Sequence, residues 1–246
     1  MPINENWLEK VEEETLEPHL KICDPHHHLW QHPNSTYLAE EFLQDINSGH
    51  KISSTVFVEC MSSYYKDSPR ALAPVGETKF VEELANENVK NHPHADIAKA
   101  IVGFADLSLG DSVESVLDAH LEKSPYRFKG IRHACGWDSS DQVRNSHTNP
   151  ARFLYLEETF QKGFAKLLDY GFTFDAWLYH PQHQDLITLA KSFPNQIIIV
   201  DHVGGPLGIG PYQNKQQSVF QAWKKTVSQL AECENIFMKL GGLSMA

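Results

Sequence analysis

Three histidines follow an Asp-Pro pair in the stretch "KICDPHHHLW", residues 21–30. Side chains alternate along an extended backbone, so Asp24, His26 and His28 share one face and His27 takes the other. Two imidazoles at i and i+2 can converge on one ion or one substrate oxygen, and neutral imidazole is a good ligand for zinc and related metals. The same spacing also fits a polar loop whose histidines bond to backbone. The pair gains chemical meaning only if other parts of the chain bring partners to it.

Two stretches offer such partners. In "IIIVDHVGGP" (197–206) an apolar run ends in Asp201 and His202, followed by a Gly-Gly-Pro turn that lets a ligand approach the backbone. Alternation puts His202 on the face of Ile198 and Val200 and turns Asp201 the other way, as a supporting or structural residue. In "RFKGIRHACGW" (127–137), Arg132 and His133 fall on opposite faces, and Gly130 shares the face of Arg132, leaving room for a guanidinium. Such an arginine can clamp a carboxylate with two hydrogen bonds or sit in an ordinary salt bridge. Glu59, His180 and Lys239 are single polar residues at the ends of apolar runs, a weaker signal.

Positioning these residues is the task of seven short apolar runs: 21–24, 54–59, 100–106, 127–132, 172–177, 196–201 and 236–240. Several are nearly continuous in Val, Ile and Phe, as parallel strands covered on both faces are. Amphipathic helical patterns lie between them at 76–92, 112–123, 149–171, 181–193 and 217–233, and Gly171 is a natural stop for the third. Strand–helix alternation predicts βαβ units and a parallel sheet, in an α/β fold. Polar residues recur at the ends of many different strands, which favours a (β/α)8 TIM-type barrel. A dinucleotide-binding sheet would show a glycine-rich turn after its first strand, and "DPHHHLW" has none.

Composition narrows the function. The 246 residues suit a single barrel domain over 1–246, with 1–20 as an N-terminal extension; 41% are hydrophobic, enough for a core without disulfide staples. The four cysteines are scattered, as free thiols in a reducing compartment are. The acidic N-terminus has no signal-peptide pattern and no run is long enough to span a membrane, so a cytoplasmic protein is expected. A formal charge of −11 argues against nucleic acid as a partner and leaves a small-molecule substrate. It leaves homodimerisation open.

Taken together, "ICDPHHHLW", "TVFVE", "IVGFADL", "FKGIRH", "FTFDAWLYHPQ", "IIIVDHVGGP" and "FMKLGGLSM" resemble the amidohydrolase superfamily. The likeness is to its amidohydrolase-related branch of TIM-barrel metal-dependent hydrolases, which includes sugar-acid lactonases and 2-pyrone-4,6-dicarboxylate lactonase. The resemblance implies hydrolysis of an ester, lactone or amide bond, most specifically opening of an anionic or hydroxylated lactone by water. It implies catalytic roles for His26, His28, His202 and Arg132, and substrate contacts for Glu59, Arg132, Tyr179 and His180. Some relatives bind one divalent metal, zinc or similar, which His26, His28 and His202 would hold; no organic cofactor is implied. The family's eighth strand carries an aspartate general base, and the sequence ends just past the segment resembling strand seven. The expectation is therefore a barrel truncated before strand eight, with two rival readings: an impaired barrel that only binds a small acid, and a related barrel decarboxylase.

Overall fold

The computed structural model describes residues 10–242 apart from 12 and 92–94. Its centre is a sheet of seven parallel strands: β1 (Lys21–His27), β4 (Lys51–Val58), β5 (Asp96–Gly103), β6 (Phe128–Arg132), β7 (Thr173–Ala176), β8 (Ile198–Val200) and β9 (Ile236–Met238). They pair in that order, each with the next. All seven runs read from the sequence are strands. Two further short strands, β2 (Trp30–His32) and β3 (Ser35–Tyr37), form a small antiparallel hairpin after β1.

β1 and β9 are the sheet's edges, yet Nζ of Lys239, one residue beyond β9, lies 3.2 Å from Nδ1 of His26 in β1. A flat sheet would separate its first and seventh strands by about 29 Å, six strand spacings. The contact requires the sheet to curl until its edges face each other across one interior. The fold is α/β, a curled partial barrel of the TIM type.

Among the described residues six helices accompany the strands: α1 (Ala39–Ile46), α2 (Val75–Asn91), α3 (Glu114–Lys123), α4 (Glu158–Asp169), α5 (His183–Ser192) and α6 (Gln216–Leu230). Their apolar faces cover the outside of the sheet. Phe57, Ile131, Phe174, Ile198 and Val200 of the strands join Val81, Leu117, Phe160, Phe164 and Leu186 of the helices in one core. The helix expected over 149–171 is shorter. Asn149 is left-handed at φ +49°, a 3-10 turn covers Leu154–Leu156, and extended Glu157 precedes α4. Gly171 does stop the chain, at φ +65° just after that helix. All four cysteines are free thiols, and no helix among the described residues is long and apolar enough to cross a membrane.

Candidate active site

Strand alternation builds a charged interior. On β7 and β8, Phe174, Ala176, Ile198 and Val200 turn outward to the core, so Asp175 and Asp201 turn inward. Backbone register then sets the charges side by side. Arg132 is the Cα partner of Asp175, and Lys239 follows Met238, the partner of Val200. Both aspartates are fully buried, and Arg132 is 7% exposed.

These charges are paired. The guanidinium of Arg132 donates from Nε to Oε1 of Glu59 at 2.8 Å, from Nη2 to the Glu59 carbonyl, and from Nη1 to Oδ2 of Asp201 at 3.4 Å. Nζ of Lys239 donates to Oδ2 of Asp175 at 2.5 Å and lies 3.0 Å from Oδ1 of Asp201. Burial pushes the Asp175 carboxyl up to about 6 against the opposing pull of Lys239. Burial would raise Asp201 as well, but the His26 hydrogen bond and the Lys239 and Arg132 cations outweigh it and hold this carboxyl well below its usual range.

The imidazoles stand on this base. Nδ1 of His26 faces Lys239 at 3.2 Å and Oδ1 of Asp201 at 3.4 Å, so either tautomer finds a partner. Its Nε2 lies 3.3 Å from Nε2 of His28 and 3.5 Å from Nη1 of Arg132. Nδ1 of His28 meets the Val58 carbonyl at 2.7 Å. Burial first, then the Arg132 charge, lowers His28 to about 3. His202 packs its ring 4.6 Å from that of His26 and edge-on to Trp177 at 4.9 Å. Its pKa falls to about 4, by burial that outweighs the nearby Asp201. His28 and His202 are therefore neutral at pH 7.

His27 takes the opposite face, as the alternation requires, stacked on Phe42 at 4.2 Å with Nε2 against Thr55. The inward side of β8 is the reverse of the expected one, because Val200 faces the helices and Asp201 the interior. His202 reaches the interior by another route. It and Val203 adopt left-handed backbone, φ +50° and +49°, and the turn swings the imidazole back over the strand ends. Gly130 does not make room for the guanidinium: a Cβ there would lie 2.4 Å from Oγ1 of Thr173, so its absence lets β7 approach.

His26, His28, Glu59, Arg132 and His202 thus form one cluster. Tyr179 and His180 stand apart from it. The Tyr179 hydroxyl donates to the Arg144 carbonyl and its ring packs with Val143 and Leu207, while Nδ1 of His180 accepts from the Leu207 amide at 3.3 Å. Two further residues reach the cluster without a signal in the sequence: Asp175, a lone charge in the apolar stretch "FTFDAW", and His147, whose Nε2 lies 3.6 Å from Oε2 of Glu59. Lys239, a weak signal in the sequence, is central to the cluster.

A cavity of about 650 Å³ opens beside the cluster, over the ends of β4, β5 and β6. Arg70, Asp106, His147 and Asn149 line it together with Tyr64, Phe104 and Leu109. His147 is its link to Glu59 and the charged interior.

The divalent ion implied by the resemblance can be tested against these residues. His26, Asp201 and His202 can each offer a ligand atom within 4.8 Å of the others, and the 3.3 Å between the Nε2 atoms of His26 and His28 equals the edge of a zinc tetrahedron, about 3.3 Å. The spacing suits a metal, but protein cations already stand at the ligand atoms. Each nitrogen of His26 already has a protein cation within 3.5 Å, Lys239 at Nδ1 and Arg132 at Nη1 toward Nε2. A doubly charged ion would enter beside both. The centre as folded does not fit one.

Comparison with known proteins agrees with this architecture. The amidohydrolase family model (Amidohydro_2) matches residues 23–246. The uncharacterised protein y4mH of Sinorhizobium fredii is 29% identical over 255 residues, covering 92% of this chain and 74% of that protein. The L-fucono-1,5-lactonase of Burkholderia ambifaria is 25% identical over 199 residues, 75% of this chain and 61% of the lactonase. Crystal structures of a Burkholderia multivorans amidohydrolase, one with bound HEPES and one with bound zinc, superpose with TM-scores of 0.67 and 0.65 at 19% and 18% identity. Each covers 91% of this chain and 70% of theirs. With a family model spanning nearly the whole sequence and the same fold in its structural neighbours, this chain belongs to the amidohydrolase family, a family of hydrolases.

Proposed function

We propose that the centre opens a lactone of a small hydroxylated acid. The observation that carries this reading is the convergence of His26, His28 and His202 on two buried cations, Arg132 and Lys239, at the C-terminal edge of the sheet. Water attacks the lactone carbonyl carbon, and the neutral imidazole of His202 takes the water's proton. The charge growing on the carbonyl oxygen faces His26 and the two cations, in a buried setting where such stabilisation is strongest. The bond to the ring oxygen then breaks, and that oxygen leaves as an alcohol with the proton returned from His202. The product is the open hydroxy acid.

The cavity supports a hydroxylated substrate. Arg70 and His147 offer donors, Asp106 and Asn149 offer acceptors, and Phe104 gives an apolar face. A hydroxyl both donates and accepts, so it suits such a mixed lining. The size is that of a small-molecule site. The similarity to an L-fucono-1,5-lactonase points the same way.

The test is acid release, followed with a pH indicator, on a panel of sugar-acid 1,4- and 1,5-lactones. Saturable acid production on at least one lactone is expected. Carbon dioxide release from a carboxylated relative of these compounds, with no acid from any lactone, would replace this reading by the decarboxylase. Binding of the open acids without turnover of any compound would leave a binding protein.

A further inference from the structure

Lys239 has no assigned part in the reaction beyond its charge, yet it sits in an unusual place. Its backbone N–H continues the ladder from β9 by donating to the Val200 carbonyl at 2.9 Å, which aims the side chain inward beside Asp201. The side chain is 9% exposed. Its nitrogen lies 3.0 Å from Oδ1 of Asp201 and 3.2 Å from Nδ1 of His26. Those two residues supply two of the three members of the candidate ligand set, His202 being the third. The contact with Asp201 is an ion pair, and the ammonium donates a hydrogen bond to Oδ2 of Asp175 at 2.5 Å.

An ammonium with three donors and one positive charge imitates a small cation that takes three ligands. We propose that Lys239 is a built-in cation of the centre: it occupies the divalent-ion position, keeps His26 and Asp201 in ligating orientation, and excludes a metal. The position is formed by ligands that suit zinc in type and spacing, so removing the ammonium should open it. Among the described residues the salt bridge of Asp175 is with Lys239, at 2.5 Å, so the pair can be neutralised together without changing the net charge of the interior. This inference concerns the occupant of the centre and holds whatever the substrate is.

The experiment compares zinc uptake by the full chain and two variants, using isothermal titration and metal analysis after dialysis, with zinc chloride as the probe. Lys239→Gln keeps an amide donor toward the carboxylates. Asp175→Asn combined with Lys239→Met removes the ion pair. Both are expected to bind one zinc at least about tenfold more tightly than the unaltered chain, because the ammonium no longer stands between His26 and Asp201. Adding His26→Ala should abolish the gain, which separates this site from surface histidines. A thermal melt reports folding; if the double variant fails to fold, the Gln variant decides. The proposal falls if the unaltered chain binds one zinc in a His26-dependent manner as tightly as the variants. It also falls if folded variants gain no zinc.

Discussion

Nδ1 of His28 lies 2.7 Å from the carbonyl oxygen of Val58, at the end of the adjacent strand. A carbonyl can only accept, so Nδ1 carries the proton and Nε2 presents its lone pair to the interior. The β4 backbone thus selects the tautomer of a residue on β1. That lone pair stands 3.3 Å from Nε2 of His26 and orients the imidazole that faces the growing oxyanion, so His28→Ala should lower kcat on a matched lactone at least about a hundredfold. His202→Ala should do the same by removing the proton acceptor. Steady-state kinetics of each variant checks this, and turnover within a few-fold of the parent would refute the assigned roles.

Arg132 is the keystone of charge in the interior. Replacing it by Met leaves Glu59 and Asp201 buried without their guanidinium, and breaking a buried pair in this way costs about 3–5 kcal/mol. Glu59→Gln keeps an acceptor for Nε and should cost less. Urea unfolding of the two variants gives the comparison, with Arg132→Met expected to show the lower midpoint at an unchanged slope. The reverse order would mean that Glu59 is held by something other than Arg132.

Stability should fall on mild acidification. Burial lowers His27 and His28 to about 3 in the fold, against an ordinary 6.5 once unfolded. Between these values the unfolded chain binds more protons than the folded one, so stability rises with pH across this window. The contribution is complete above about pH 6.5 and is lost as pH drops toward 3, at about 2 kcal/mol per histidine between pH 7 and pH 5. His120 and His183, both lowered to about 4 by burial, act in the same direction. Asp175, raised to about 6, opposes them over its own narrower range, since its protonated form is favoured in the fold. Chemical denaturation at pH 7, 6 and 5 should show a steady decline, and a flat profile would contradict the burial of these rings.

Gly130 should tolerate no side chain. A Cβ there would meet Oγ1 of Thr173 at 2.4 Å and the Thr173 carbonyl oxygen at 2.9 Å. Gly130→Ala should cost about 1–3 kcal/mol through overpacking between β6 and β7. Adding Thr173→Ala removes only the hydroxyl clash, so thermal melts should show partial and not full recovery. Full recovery would mean that the backbone contact is soft.

Much of the architecture could be read in the sequence because its signals are local. Apolar runs such as 54–59 and 196–201 announce buried parallel strands, and Asp24-x-His26-x-His28 correctly separated His27 from its neighbours. The interior side of β8 could not be read this way. Alternation rightly placed Asp201 opposite Val200, but only the packed structure shows which of the two faces the helices. His202 then enters through a left-handed turn that no alternation pattern predicts. The hairpin of β2 and β3 and helix α1 were missed because they are short; in "AEEFLQDI" only Ala39, Phe42, Leu43 and Ile46 mark the helical face. Asp175 was hidden by its own context, since a single charge in an apolar strand is informative only when its partner, Lys239, is known to lie beside it.

The contact between His26 and Lys239 joins positions 213 residues apart. A link that distant carries a loop-closure cost that pairing of the strands between reduces. Until β9 is in place, the carboxylates of Asp175 and Asp201 have no ammonium to meet. Docking of β9 delivers that ammonium and, through its contact with His26, ties one edge of the curled sheet to the other.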